Sequence, residues 1–426
     1  MNKNFEKNFS QNYIYFFLLL IFFTRAYIAL QFGDGNLGVE SVNEWGVLFN
    51  NLKNTGQLSW FYDGSYKYPS LFMPPLYPYF LYFVNLVPFE NLIIKVLVIQ
   101  SLIATCSSYL VYNIALKTSN AQIAFLSFVI FAFYPLNLYS SSQISSITLV
   151  MFIYISFLYL LTISKNYFIM GIIGGIGILA RGEFVLMYAM GLVYLFLTKK
   201  INFNKVLFSL MVSLLILSPL LKKNYEIFNK LIITQSGGYV LWRGNNQLST
   251  ADSILADKAV GEVLNITLPN NHNFKNQEIK NIYEKLEKIK YNKKHDLLRD
   301  KIFLDQALKN IKDDPIRYVN LWFKKFFSFA FFNTASIYPG YYNPISIIPE
   351  IIISIGAFFG MILCMINRKK IYLLYGYIFC IVFIYSFFLI LPRYKLILLP
   401  VYSIFFGYFL GEFNKKKIIL KIKNFF

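Results

Sequence analysis

Two carboxylates four residues apart, Glu40 and Glu44, open a moderately polar stretch, residues 40–82, in a chain that is otherwise mostly apolar. On a helix that spacing puts both on one face. Together they can hold a divalent cation, and one alone can take a proton from an attacking hydroxyl. Glu44 is the first choice of base. It lies between Asn43 and Trp45 and precedes GVLFNNL, which reads as a short amphipathic helix along a membrane surface. Asp34 and Asp63 lie beside glycines and read as turn residues. The complementary charges come from distant parts of the chain: Arg181 in LARGEF, the pair Lys222 and Lys223, and Arg393 with Lys395 in LPRYK. Cations of this kind at the ends of membrane spans suit a phosphate, whose charge they neutralise as it leaves.

Membrane-spanning helices must position these groups. Of 426 residues, 57% are hydrophobic and 19% aromatic, and several apolar runs are long enough for a helix to cross the bilayer. The pattern predicts an all-α polytopic bundle of about ten spans, both termini cytoplasmic. The spans fall near 12–32, 91–116, 121–138, 144–163, 166–180, 184–198, 204–221, 345–366, 371–391 and 395–412. Residues 75–88 are too short to cross and read as interfacial. With that segment left out of the count, Lys117, Lys165, Lys199, Lys200, Lys205 and Arg368–Lys370 all fall on the cytoplasmic side. The same parity puts the outer loop 33–90, Arg181, Lys222, Lys223, Arg393 and Lys395 on the other side.

The chain divides into a transmembrane part with its outer loop (1–222), an extracytoplasmic and interfacial segment (223–342), and C-terminal spans with a basic tail (343–426). Residues 274–312 alternate charge at helical spacing and predict amphipathic helices; RYVNLWFKKFFSFAFF after Pro315 reads as interfacial. The net charge of +20 belongs to anchoring lysines and anionic lipid rather than nucleic acid. Cys106, Cys364 and Cys380 lie in apolar runs without metal-site spacing, and His272 and His295 are too few for a histidine metal centre. No phosphate-binding or dinucleotide fingerprint occurs. The glycines of MGIIGGIGILAR read as a close-packing face within a span.

Several stretches resemble the membrane-embedded GT-C glycosyltransferases, in particular bacterial family-39-like enzymes related to protein O-mannosyltransferases and lipid A aminoarabinose transferases. They are NEW at 43–45, MPPLYPYF at 73–80, YPLNLYSSSQISS at 134–146, GILARGE at 177–183, SPLLKKNY at 218–225, GGYVLWRGNN at 237–246, DDPIRYV at 313–319 and PRYKLILLP at 392–400. The resemblance implies a base in the first outer loop, which falls on Glu44, with Asn43 where relatives carry Asp; Glu40 is the candidate to compensate. Relatives often carry a second acid in the next outer loop, and SSQISSIT has none. Arg181, Lys223 and Arg393, with Lys222 and Lys395, match donor-phosphate positions. Trp45, Tyr77, Tyr239, Trp242 and Asn245 are the expected substrate contacts.

The implied reaction moves a sugar from a polyprenyl-phosphate donor to a lipid, glycan or protein acceptor on the extracytoplasmic face of the cytoplasmic membrane, with inversion at C1. Acceptor choice is expected in residues 245–312. Two other readings compete. One is a polysaccharide polymerase or ligase using a diphosphate-linked donor. The other is a lipid-linked sugar flippase or transporter, which would need ionisable groups in mid-span; Lys95 is the one candidate, and it lies near an end.

Overall fold

The computed structural model describes residues 3–33, 44–59, 69–88, 91–251, 277–334, 336 and 340–413. Asp34, Glu40 and Asp63 lie outside the described residues. Within them the chain is helical throughout. Asparagine opens one span after another, its side-chain oxygen accepting a first-turn amide: Asn91 for α4 (Leu92–Thr118), Asn120 for α5 (Ala121–Ala132), Asn166 for α8 (Tyr167–Ala180), Asn202 for α10 (Phe203–Phe228) and Asn343 for α15 (Pro344–Ile366). Each cap meets an amide that would otherwise have no partner at a helix start.

Among the described residues five helices are long and apolar enough to cross a membrane: Tyr13–Phe32 within α1 (Lys3–Phe32), α4, the continuous run Ile147–Ser164 formed by α7 (Ile147–Tyr159) and a π-helical turn, α10 and α15. The bent pair of α5 and α6 (Pro135–Ser141) brings the count to six. Four shorter apolar helices complete the set: α8, α9 (Phe184–Leu197), α16 (Tyr372–Ser386) and α17 (Leu399–Phe413). The ten expected span positions are therefore all helical, while the last four have only 14 or 15 residues, fewer than the ~20 a perpendicular crossing takes.

The expected continuous span at 121–138 is broken. After α5 the chain bends by 57° into α6 (Pro135–Ser141), because Pro135 has no amide hydrogen to carry the helix ladder across. Arg25, reaching from α1, fills the gap. Its Nη2 donates to the Ala132 carbonyl at 2.7 Å, and its Nη1 to the Asn137 carbonyl and Ser141 Oγ, both at 3.1 Å. Asn137 Nδ2 takes up the Phe131 carbonyl. The guanidinium thus lies at the C-terminal, electronegative end of α5.

Close approach between spans rests on glycine. A Cβ at Gly171 or Gly175 of α8 would come within 2.6 Å of Val212 or Ile216 on α10. One large apolar cluster, including Phe128, Phe157, Phe184, Tyr377 and Phe405, joins α4, α5, α7, α9, α16 and α17.

The ends of the bundle separate as the lysine count predicts. At one end Gly33 packs near the Ser142 carbonyl, Lys223 reaches Gly56, and Asn245 reaches Phe387. The connecting turns at the other end hold Lys165, Lys199 and Arg368 at positive φ, and Lys205 lies over Tyr167. On the first end sits a helical layer of α11 (Gly237–Gly244), α12 (Gln277–Glu287) and α13 (His295–Asp313), built around Trp242, Ile282 and Phe303. The helix α14 (Pro315–Ala330) joins this layer to the bundle. It buries Tyr318, Leu321, Lys325 and Phe329 and exposes Ile316, Val319, Phe323 and Phe327 on the opposite stripe.

Candidate active site at the loop-bearing end

Glu44 is the first residue of α2 (Glu44–Thr55); its side chain, like all of Glu40, lies outside the described set, so the paired-carboxylate cation reading falls there too. Trp45, one residue on, packs edge-to-face on Tyr77 at 5.0 Å, and α2 lies on α3 (Leu76–Asn85), the ten-residue helix that follows Pro74 and Pro75. Tyr77 is only 2% exposed, and its hydroxyl donates to Gln100 Oε1 at 2.8 Å. Gln100 in turn donates to the Gln143 carbonyl at 2.7 Å. NEW, PPLYP and SSQISS, distant in sequence, are thereby one assembly. Tyr77 serves as its hinge pin, with its hydroxyl already engaged.

The basic residues assemble around a 3₁₀ turn, Pro392–Ile397. On one side, Arg181 Nη1 contacts Glu183 Oε1 at 3.0 Å and donates to the Tyr385 hydroxyl, which itself donates to Glu183 at 2.7 Å. Its guanidinium lies 4.3 Å from the centroid of the Tyr394 ring. On the other side, Lys395 Nζ meets Glu350 Oε1 at 2.8 Å, and the Tyr341 hydroxyl donates to the same oxygen, also at 2.8 Å. Arg393, between the two, is exposed and has no acidic partner among the described residues. The three residues expected to share one role therefore differ: Arg181 and Lys395 are paired with carboxylates, while Arg393 has none among the described residues.

Lys222 and Lys223 stand apart on α10. Lys222 is exposed, 4.0 Å from Glu226. Lys223 donates to the Gly56 carbonyl at 3.3 Å and lines a recess with Pro75, Tyr79, Leu58 and Met73. That position ties α10 to the loop after α2, away from the 3₁₀ turn.

The expected contacts in GGYVLWRGNN hold the outer layer together. Trp242 is 1% exposed, and its indole N–H donates to Glu278 at 2.6 Å; Glu278 also accepts from Asn310 Nδ2 at 2.8 Å. The Tyr239 amide donates to Asp300, and its ring packs on Phe303. Asn245 donates to the Phe387 carbonyl and accepts from Lys325 Nζ at 3.2 Å. The side-chain polar groups of Trp242 and Asn245 are thus engaged inside the fold, where each buried donor and acceptor needs a partner. Asp296 links the layer to the first loop, accepting from Ser70 Oγ and the Leu71 amide. Burial there works to raise its pKa, but the bonds from His295, Ser70 and Leu71 and the charge of Arg299 prevail and hold it below the ordinary value.

Sequence reasoning assigned no role to Arg25 and Glu350, both buried within membrane-length helices. Arg25 was visible only as a charge near the end of an apolar run. Glu350 sits in PEIII, where the flanking isoleucines hide it; its signal would have been an acid within the first two turns of a span. Lys95, the one mid-span candidate, instead caps α3, donating to the Asn85 and Val87 carbonyls. Among the described residues no group of three or more His, Cys, Asp or Glu could hold a metal.

The described chain is thus a polytopic helical membrane protein with a charged, aromatic-walled site at one end. Residues 73–222 match the profile of the dolichyl-phosphate-mannose-protein mannosyltransferase family, and that match supports a membrane glycosyltransferase of the GT-C superfamily. No curated protein and no solved structure matches significantly.

Proposed function

We propose that the loop-bearing end faces outward from the cytoplasmic membrane and that the protein there transfers one sugar from a polyprenyl-phosphate donor to an acceptor hydroxyl. The carrying observation is a chain of contacts: α2, which Glu44 opens, packs through Trp45 on Tyr77, Tyr77 reaches the Ser141 and Gln143 carbonyls through Gln100, and α6 lies against the Pro392–Ile397 turn. Glu44 takes the proton from the acceptor. The acceptor oxygen bonds to C1 as the bond from C1 to the phosphate oxygen breaks, inverting the centre. Polyprenyl phosphate departs with both bonding electrons, its charge met by Arg393. Arg181, held by Glu183 and Tyr385 and covered by Tyr394, keeps that turn in place. The family's dolichyl-phosphate-linked donor is the chemistry this reading extends to a polyprenyl phosphate in general.

A deletion strain provides the test. Mass analysis of its surface glycans, glycolipids and glycoproteins is expected to show one sugar missing, restored by the wild-type gene and not by Glu44→Gln. Unchanged glycans in the deletion strain would refute the transferase reading; restoration by Glu44→Gln would remove Glu44 as the base.

A further inference from the structure

We propose that Asp296 is a positioning residue for Glu44: through residues 70–73 it fixes α2, the helix that Glu44 opens, against the outer layer. The proposal rests on the transferase reading above and names what aligns base and acceptor. Residues 70–73 form a short strap between α2 and the layer of α11, α12 and α13, and each of the four is held.

Three of them bond to the layer. Ser70 Oγ and the Leu71 amide both donate to Asp296 Oδ2, at 2.8 and 2.7 Å. The Leu71 carbonyl accepts from the Gln235 amide at 2.6 Å, and the Gln235 side chain donates to Asp300. The Phe72 ring lies 4.4 Å from the Arg299 guanidinium and 5.3 Å from the Tyr239 ring. On its other side the strap meets α2. The Ser70 amide donates to the Leu58 carbonyl at 2.5 Å, and Met73 packs with Leu58 on Leu48 and Leu52. Asn51 of α2 donates to the Ser59 carbonyl at 2.7 Å, which ties Leu58 and its neighbour back to the helix.

Asp296 makes two of the strap's bonds with a single oxygen, is 8% exposed, and turns Oδ1 to His295 at 3.2 Å. Without an acceptor there, the buried Leu71 amide and the Ser70 hydroxyl lose their partner together. The consequence is for alignment. A general base needs the acceptor hydroxyl within about 3 Å. A misplacement of about 1 Å costs on the order of 10²-fold in rate. Acceptor choice is expected in the layer, so the strap makes the acceptor's seat and the base one body. Donor phosphate meets Arg393 on a separate turn, and the effect of Asp296 therefore falls on kcat rather than on KM for the donor.

The test uses full-length protein in liposomes, given the glycosylated polyprenyl phosphates and the acceptor fraction of its own membranes, and reads transfer per folded molecule. Asp296→Leu keeps the shape and removes the acceptor; kcat is expected to fall at least about tenfold, with KM for the donor within about twofold of wild type. In Asp296→Asn one oxygen still accepts from both Ser70 and Leu71, and kcat is expected to stay within about twofold. Spin labels at the exposed positions Lys53 on α2 and Lys301 on α13 should show a broader distance distribution in Asp296→Leu and an unchanged one in Asp296→Asn. Ser70→Ala removes one bond only and replaces Asp296→Leu if that variant does not fold; its kcat is expected to fall about threefold. Wild-type kcat in the folded variant, or an unbroadened distribution, overturns the positioning role and leaves the transferase reading intact. An equal loss in Asp296→Asn overturns it too, by placing the effect in the charge, as does a loss confined to KM for the donor. A wild type that transfers nothing refutes the transferase reading, and the positioning role with it.

Discussion

Replacing Arg25 with methionine probes the element on which the outer half of the bundle turns. The guanidinium is 1% exposed and makes three hydrogen bonds, to the Ala132 carbonyl, the Asn137 carbonyl and Ser141 Oγ. Methionine fills most of the volume and offers no donor. The Ala132 carbonyl then loses its partner at the α5–α6 bend, at a cost of about 1–3 kcal/mol, while the Asn137 carbonyl keeps the Ser140 hydroxyl. Removing the buried charge returns part of this, since an ion taken out of water carries its own penalty of several kcal/mol. The net expectation is a destabilisation of about 1–2 kcal/mol. Arg25→Lys, with a shorter reach, should restore no more than one of the bonds. Because α6 packs on the Pro392–Ile397 turn that carries Arg393, sugar transfer should fall further than stability alone accounts for. Thermal unfolding in detergent, with transfer measured on the folded fraction, separates the two effects. An Arg25→Met protein with wild-type melting temperature and wild-type transfer would refute the clamp.

Other consequences are open to direct measurement. Glu44→Gln should lower transfer by roughly 10²–10⁴-fold, the ordinary contribution of a general base, with the melting temperature unchanged. Arg393→Gln should raise KM for the donor, whereas Arg181→Gln should also loosen the fold, because it leaves Glu183 and Tyr385 without their shared partner. Trp242→Phe strands one bond of Glu278 and should cost about 1–3 kcal/mol. Hydrogen exchange should then rise across α12 and α13, with transfer per folded molecule kept. Asp296 titrates below its usual 3.8 when folded, so its stabilising contacts are fully present above that value and are lost as pH falls through the lower, folded pKa. Acid-induced exposure of residues 69–72 should show this dependence, and Asp296→Asn should abolish it.

The sequence carried the bundle because hydrophobic length and lysine placement are one-dimensional signals. Each expected span is a helix, and the basic turns around Lys165, Lys199 and Arg368 share an end. Pro135 was equally visible, but a proline tells only that the ladder is interrupted; the 57° bend depends on Arg25, more than 100 residues away. The site was legible in its residue types and less so in its pairings. Arg181, Arg393 and Lys395 look alike along the chain, and only folding assigns Glu183 to one and Glu350 to another. GGYVLWRGNN shows the same limit: glycine and aromatic residues suit a binding loop, and equally a helix packed on Asp300 and Phe303.

The most direct measurement follows the lipid. Purified protein in liposomes, given the glycosylated polyprenyl phosphates and the acceptor fraction of its own membranes, should release sugar-free polyprenyl monophosphate in step with acceptor glycosylation, and Glu44→Gln should release none. Release of polyprenyl diphosphate would transfer the assignment to a polymerase or ligase. If the wild type leaves the lipid pool unchanged while the acceptor fraction is present, the account is contradicted.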